Sequence, residues 1–478
     1  MMKPHRCVAV ILCSLLLAPF LNAQSTAPPT PQPSSVLFRN ARIFDGIKNE
    51  LSAPADVLVQ GNKIAKISAT PIHPDSDTKV IDASGRTLMP GLIDAHAHIM
   101  LAAMPMQAAL TADIGYINLV AAKEAQATLM RGFTSIRDMG GPSFGLKRAI
   151  DQGLYPGPRI YPSGAMISQT SGHGDFRMPY EIPATIGGPL SHVEQEGVAM
   201  IADGPDQVLM RTREQLMLGA SQIKLMAGGG VSSLYDPLDA VQYTPEEIRA
   251  AVEAANNWNT YVTVHAYTAP AIQMAISAGV QCIEHGQLAD EATAKLMADK
   301  GIWWSLQPFL DDEDANEQAN PASRAKQLEV SNGTDNAYRL AKKYKIKTAW
   351  GTDTLFSATG GVRQNRQLTK LTRWYTPAEV LKMATHDNAE LLALSGPRNP
   401  YPGKLGVVEE GAFADLLLVQ GDPVANIKLI ESPETSFVVI MKNGEIYQNL
   451  LQYRRQQRKR ILVATPSRCC VASGPKLL

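Results

Sequence analysis

GLIDAHAH, residues 91–98, is a short apolar run that ends in alternating histidines. Bounded by a Pro-Gly signal, it reads as a strand. Working outward, seven more such runs recur through the middle of the chain: GFTSIRD (132–138), PRIYPSG (158–164), SQIKLM (221–226), TYVTVHA (260–266), VQCIEH (280–285), IWWSLQ (302–307) and KTAWGTD (347–353). Helical stretches such as 245–257 and 376–395 separate or follow them. Alternating strands and helices are the mark of parallel βα units. Eight units fit a closed (β/α)8, TIM-like barrel better than an open doubly wound sheet. No GxGxxG, Walker loop, GxSxG or HExxH points to another architecture.

The flanks have a different texture. Residues 36–89 and 400–450 are short alternating segments punctuated by glycine and proline. They predict one small β-sandwich assembled from both ends of the chain, with the barrel (90–399) inserted between its halves. Residues 1–23 read as a secretory signal: Lys3 and Arg6 precede an apolar run from Val8 to Leu21, too short to span a bilayer. Residues 24–35 are a Pro/Ser-rich linker and 451–478 a basic tail containing RRQQRKR. The expected location is the periplasm or the secreted fraction. Removing the signal leaves 43 basic against 45 acidic residues, and that balance favours neither nucleic acid nor a membrane surface as partner. The cysteines left beyond it, Cys282 and the adjacent Cys469 and Cys470, make no disulfide framework; Cys282 reads as a buried small hydrophobe.

The chemistry gathers at the predicted strand ends, where a barrel carries its site. His96 and His98 are two apart on an extended strand and so face the same way. Runs five and six end in or near His265 and His285, and run eight ends in Asp353. Of nine histidines in the chain, one lies in the signal and four lie at barrel strand ends. Unrelated core histidines would rarely fall that way, so together they predict metal binding.

PGLIDAHAH, IKLMAGGGVSS, VTVHAYTAPAI, GVQCIEHG, WGTD and the later EEGAFADLLLV resemble the amidohydrolase superfamily of metal-dependent hydrolases. The match runs from about Val36 to Tyr447 and looks closest to the imidazolonepropionase-related branch with prolidase-like dipeptidases and ochratoxinase-like amidases. The resemblance implies that His96, His98 and Asp353 bind one metal ion, that His265 and His285 bind a second, and that Lys224, carboxylated by carbon dioxide, bridges both. An uncarboxylated ammonium beside two cations would be strongly unfavourable; the alternative for Lys224 is a salt-bridged lysine at a strand end. Zinc is expected from the imidazole and oxygen donors, with manganese or cobalt left open. The implied reaction is attack of a metal-bridging hydroxide on an amide, with Asp353 carrying the proton to the departing nitrogen. The expected substrate is a small amide or dipeptide joining an acyl group to an amino acid, ochratoxin A among the candidates, and the expected assembly a homo-oligomer.

Outside the ligands, the resemblance places His173 against the substrate as an oxyanion stabiliser and Tyr267 as a donor to a carboxylate or carbonyl, with ordinary loop or packing roles equally open. His192 and His386 read as structural, and His73 as part of a turn of the sandwich. Gly228-Gly229-Gly230 reads as a loop with unusual backbone angles and close approach near the metals. Trp303, Trp304, Phe309, Met226 and Leu234 are either a pocket wall or core, and 311–318 the solvated edge of a lid. Rival readings are a cyclic-amide hydrolase or lactonase and, from another class, a catalytically silent binding protein.

Overall fold

The computed structural model describes residues 35–184, 187–233, 235–357 and 359–451. The expected signal, nearly all of the linker, the basic tail beyond residue 451 and Leu234 lie outside the described residues. Five strands open the chain: β1 (Val36–Ile43), β2 (Ala55–Gln60), β3 (Lys63–Ser68), β4 (Lys79–Asp82) and β5 (Thr87–Pro90). Ten follow through the middle: β6 (Leu92–Ala97), β7 (Phe133–Asp138), β8 (Arg159–Pro162), β9 (Met166–Ser168), β10 (Ala199–Ile201), β11 (Ile223–Met226), β12 (Val262–Thr268), β13 (Cys282–Leu288), β14 (Trp303–Leu306) and β15 (Thr348–Trp350). Three more close it: β16 (Leu416–Val419), β17 (Phe437–Lys442) and β18 (Glu445–Asn449).

The strands from the two chain ends join in one eight-stranded sheet, ordered β18-β17-β16-β5-β1-β2-β3 with β4 also on β1. The ladders form one connected path, where the sequence predicted a two-sheet sandwich. β1 changes partner at an irregularity between Phe38 and Ala41: its first half pairs with β4 and its end with β5. Ile64 on β3 and Gly411–Ala412, ahead of β16, exchange backbone bonds of 3.0 and 2.8 Å. Val36, Phe38, Val57, Leu88, Leu416 and Val439 form its apolar core. β5 runs into β6 through Gly91, whose backbone lies so close to Thr134 that a Cβ there would overlap its side chain. The terminal sheet therefore anchors the first site-bearing strand.

All eight strands expected in the middle are present, and their pairings are parallel. They fall into two sheets, β10-β9-β11-β12-β13-β14-β15 and β6-β7-β8. The pair β9 and β10 was not foreseen; three residues each are too short for a period to register. At both seams between the sheets a side-chain amide takes the place of ladder bonds. Asn388 accepts from Trp350 N–H (3.0 Å) and donates to Ile93 and Trp350 carbonyls (2.7 and 2.8 Å). Gln222 donates to the Asp138 and Tyr161 carbonyls (3.3 and 2.9 Å). Direct bonds from Asp353 N–H to His96 O and from Ser221 N–H to Pro162 O, both 2.8 Å, complete the seams.

Helices follow the strands, and two begin with capping boxes written as Thr-Pro-x-Glu: Thr244 with Glu247 and Thr376 with Glu379. The helix expected over 376–395 is interrupted. A π-helical turn, Met383–Asp387, separates Pro377–Lys382 from Asn388–Ala393, and Asn388, the first residue beyond it, enters the seam.

Candidate metal centre

β6, β11, β12, β13 and the residue stretch after β15 bring the six expected ligands to one end of the strands. Nitrogen or oxygen atoms of His96, His285 and Asp353 lie within 4.8 Å of one another. Asp353 Oδ1 is 3.3 Å from His96 Nε2 and 3.2 Å from His98 Nε2. The His265 and His285 ring centroids are 4.6 Å apart. Lys224, His98, His265, His285 and Asp353 all line one cavity of about 510 Å³.

Each imidazole has one nitrogen on an acceptor. His96 Nδ1 meets Glu284 Oε2 (2.7 Å), His98 Nδ1 meets Gly140 O (3.4 Å), His265 Nε2 meets Gly229 O (3.1 Å) and His285 Nδ1 meets Gln307 Oε1 (2.7 Å). A carboxylate or carbonyl only accepts, so at His96, His265 and His285 that nitrogen carries the hydrogen and the other keeps its lone pair, whereas at His98 both nitrogens face acceptors, Nε2 meeting Asp353 Oδ1 at 3.2 Å, and the bonds do not fix its tautomer. His96 Nε2 is buried without a hydrogen-bond partner, which leaves that lone pair for a cation. Burial pushes the His265 and His285 pKa values well below the usual histidine range, so both rings stay neutral and able to ligate. Burial alone would raise Asp353, but His96, His98 and His285 beside it hold its carboxyl well below the usual range. Neutral imidazoles and an ionised carboxylate are the donor chemistry of a divalent site.

Lys224 is 1% exposed. Among the described residues no carboxylate lies within ion-pairing distance, 4.0 Å, of its amine, so the salt-bridged alternative is not what the structure holds. Burial lowers its pKa, against the pull of Glu284 and Asp353.

The backbone is strained at two of these positions. His285 and Asp353 have φ of 70° and 51°, a conformation that costs non-glycine residues about 1–3 kcal/mol. Both are strapped in place: the Trp304 indole donates to His285 O at 2.7 Å, and Asp353 N–H to His96 O.

His173 stacks on His265 at 4.0 Å between centroids, and Tyr267 lies 5.2 Å from His285; both line the cavity. The glycine triplet explains the close fit: a Cβ at Gly230 would overlap the His173 ring, and one at Gly229 the Pro237 carbonyl. None of the three glycines has positive φ, so the expected unusual angles are replaced by close approach alone. Met226 and Phe309 are pocket wall, whereas Trp303 and Trp304 are core, buried among other apolar clusters. Ala315–Gln318 line the cavity, while Asp311, Asp312 and Glu313 pair with Arg324, Lys370 and Arg366. His192 and His386 lie away from the site, bonding Ala112 O and Asp387.

Sequence reading missed the residues behind the ligands. Glu284 is fully buried: Oε1 takes Arg137 Nη2 at 2.7 Å and the Thr263 hydroxyl, while Oε2 takes His96. Asp94 accepts from His96 N–H, Thr352 N–H, the Thr352 hydroxyl and Gln364. Asp94 stood in the opening motif and Glu284 beside a ligand, so adjacency was the available signal.

The amidohydrolase family model matches residues 87–450. The chain belongs to the amidohydrolase family. It is 33% identical over 382 residues to ochratoxinase of Aspergillus niger, covering 75% of each chain. Among solved structures this amidohydrolase is similar to a prolidase complexed with N-methylphosphonate-L-proline (32% identity, TM-score 0.79, 87% of this chain and 100% of the other). It is similar also to the A. niger ochratoxinase structure (28%, TM-score 0.76, 87% and 96%). The amidohydrolase is thus a hydrolase of carbon–nitrogen bonds in the branch of ochratoxinase- and prolidase-like enzymes. No helix among its described residues is long and apolar enough to cross a membrane.

Proposed function

We propose that this amidohydrolase cleaves the amide between an acyl group and an amino acid, using two divalent metal ions, zinc first among them. One ion is assigned to His96, His98 and Asp353, the other to His265 and His285, and Lys224, carboxylated, to both. The observation that carries the reading is Lys224, a buried amine with no carboxylate within 4.0 Å among the described residues, lining one cavity with His98, His265, His285 and Asp353. Its lowered pKa favours the neutral amine, which adds to carbon dioxide and releases a proton to leave a carbamate anion. Two divalent ions bound there would polarise the scissile carbonyl and make water nucleophilic at neutral pH.

The chain's own residues do the rest. Asp353, ionised and 15% exposed toward the cavity, takes the proton of the attacking water and hands it to the leaving nitrogen, since an amide anion leaves poorly. Tyr267 keeps its hydrogen, because burial raises its pKa well above the usual range, and donates to the substrate carbonyl or carboxylate. Met106, Met166, Phe176, Phe309 and Phe356 give the cavity an apolar lining for an aryl acyl or apolar amino-acid group. Two seams already bridged by Asn388 and Gln222 support reading residues 90–399 as one closed (β/α)8 barrel, flanked by the sheet unit of 36–89 and 400–450.

The test is release of free amino acid from a panel: ochratoxin A (to ochratoxin alpha and phenylalanine), other N-acyl-phenylalanines, Xaa-Pro dipeptides, a cyclic amide and a lactone. Turnover of the acyclic amides is expected. Turnover of the cyclic amide or lactone alone would overturn the proposal.

A further inference from the structure

His173 is held by more than its stack on His265. Its Nδ1 lies 2.6 Å from Ser233 Oγ, and the Ser233 hydroxyl donates to Asp236 Oδ1. The other oxygen, Oδ2, accepts from Gly230 N–H (2.8 Å) and Gln242 Nε2 (3.1 Å). Gln242 in turn accepts the His173 backbone N–H at 2.9 Å. Burial would raise Asp236, but its bonds on the His173, Ser233 and Gly230 side hold the carboxyl below its ordinary pKa. An ionised carboxylate cannot donate, so the direction of the chain is fixed. Ser233 gives its hydrogen to Asp236 and accepts at His173, which places a hydrogen on Nδ1 and turns Nε2 to the cavity.

The loop that carries Ser233 and Asp236 is fastened from behind. Lys326, on the helix Pro321–Lys343, donates to three of its carbonyls: Gly230 (3.1 Å), Ser233 (3.2 Å) and Asp236 (2.6 Å). Ser233 and Asp236 are each 3% exposed. This much buried polar bonding around one ring is more than packing requires, and none of it touches the six expected metal ligands.

We propose that Asp236, acting through the Ser233 hydroxyl, is the positioning residue that fixes the tautomer and orientation of His173 over the substrate cavity. The reading rests on the amide-hydrolase assignment for its kinetic consequence only. The ring so held presents Nε2 to the cavity.

The test uses the full-length metal-loaded enzyme, its Ser233→Ala and Ser233→Thr variants, and both His173→Asn and the Ser233→Ala/His173→Asn double variant. In histidine-selective ¹⁵N spectra, with the His173 signal assigned from His173→Asn, the wild type is expected to show hydrogen on Nδ1, and Ser233→Ala to lose that preference. Ser233→Ala should lower kcat by about tenfold with metal content unchanged. Ser233→Thr, which keeps the hydroxyl, should restore it, and Ser233→Ala should have no further effect once His173 is asparagine. Hydrogen on Nε2 in the wild type, an equal effect of Ser233→Ala in both backgrounds, or metal lost in step with activity would each overturn the proposal. Should no amide be turned over, the proposed function fails, while the tautomer still decides the relay.

Discussion

Glu284→Gln perturbs stability and metal affinity through different oxygens of one carboxylate. Oε1 is the counter-charge to Arg137, which is fully buried and has no other carboxylate within 4.0 Å among the described residues. Neutralising one member of a buried pair costs about 3–5 kcal/mol, because the remaining charge is uncompensated. At roughly 2 °C per kcal/mol for a long chain, the melting temperature of the chelated protein should fall by about 6–10 °C. Oε2 sets the His96 tautomer, and loss of such a partner weakens metal binding about 10–100-fold. Gln retains the shape, and its amide can turn nitrogen toward His96, so affinity falls independently of folding. Arg137→Met/Glu284→Gln removes the orphaned cation and should recover more than half of the lost melting temperature, but none of the metal affinity. Thermal melts in chelator and metal titration of the refilled proteins read the two effects apart. A single variant that melts within about 1 °C of wild type would refute the buried-pair argument; unchanged metal affinity would refute the role of Glu284 behind His96.

Asn388→Ala strips partners from Trp350 N–H and from the Ile93 and Trp350 carbonyls; at about 1–3 kcal/mol per buried unsatisfied group, denaturant unfolding should show a loss of several kcal/mol. Gly230→Ala drives a methyl into the His173 ring, so activity should collapse while metal content holds, measured by turnover beside elemental analysis. Removing metal with a chelator should lower the melting temperature, and refilling should raise it in proportion to the logarithm of free metal. Lys442 is buried with its amine on Gly157 O, and burial lowers its pKa to about 8. A lysine depressed in the folded state is a penalty below pH 8 that fades as pH rises, because the unfolded chain then binds more protons. Stability of wild type relative to Lys442→Met should therefore rise between pH 8 and about 10.4; a flat difference would contradict this.

Much of the fold lay open in the sequence because parallel strands buried on both faces leave continuous apolar runs, and all eight of them were found where expected. Among the candidate ligands, His96, His98, His265, His285 and Asp353 drew attention because they stand at predicted strand ends, whereas Lys224 was singled out by the family resemblance alone. What stayed hidden was polar pairing across long separations. Asn388 and Gln222 act on carbonyls distant in sequence, and nothing local distinguishes them from surface amides. Arg137 and Glu284 are 147 residues apart, and nothing local marks either as one half of a buried pair. The helix over 376–395 kept its period through Met383–Asp387, so the π turn left no trace. Trp303 and Trp304 follow the same logic: an aromatic on a strand faces pocket or core according to packing that period alone does not specify.

The most direct measurement is the metal content of purified wild type and Lys224→Ala, by elemental analysis, with amide hydrolysis read on the same samples. The account predicts close to two divalent ions per wild-type chain and a marked loss of both metal and activity in the variant. One ion or none in active wild type, or two ions retained by an active Lys224→Ala protein, would contradict it.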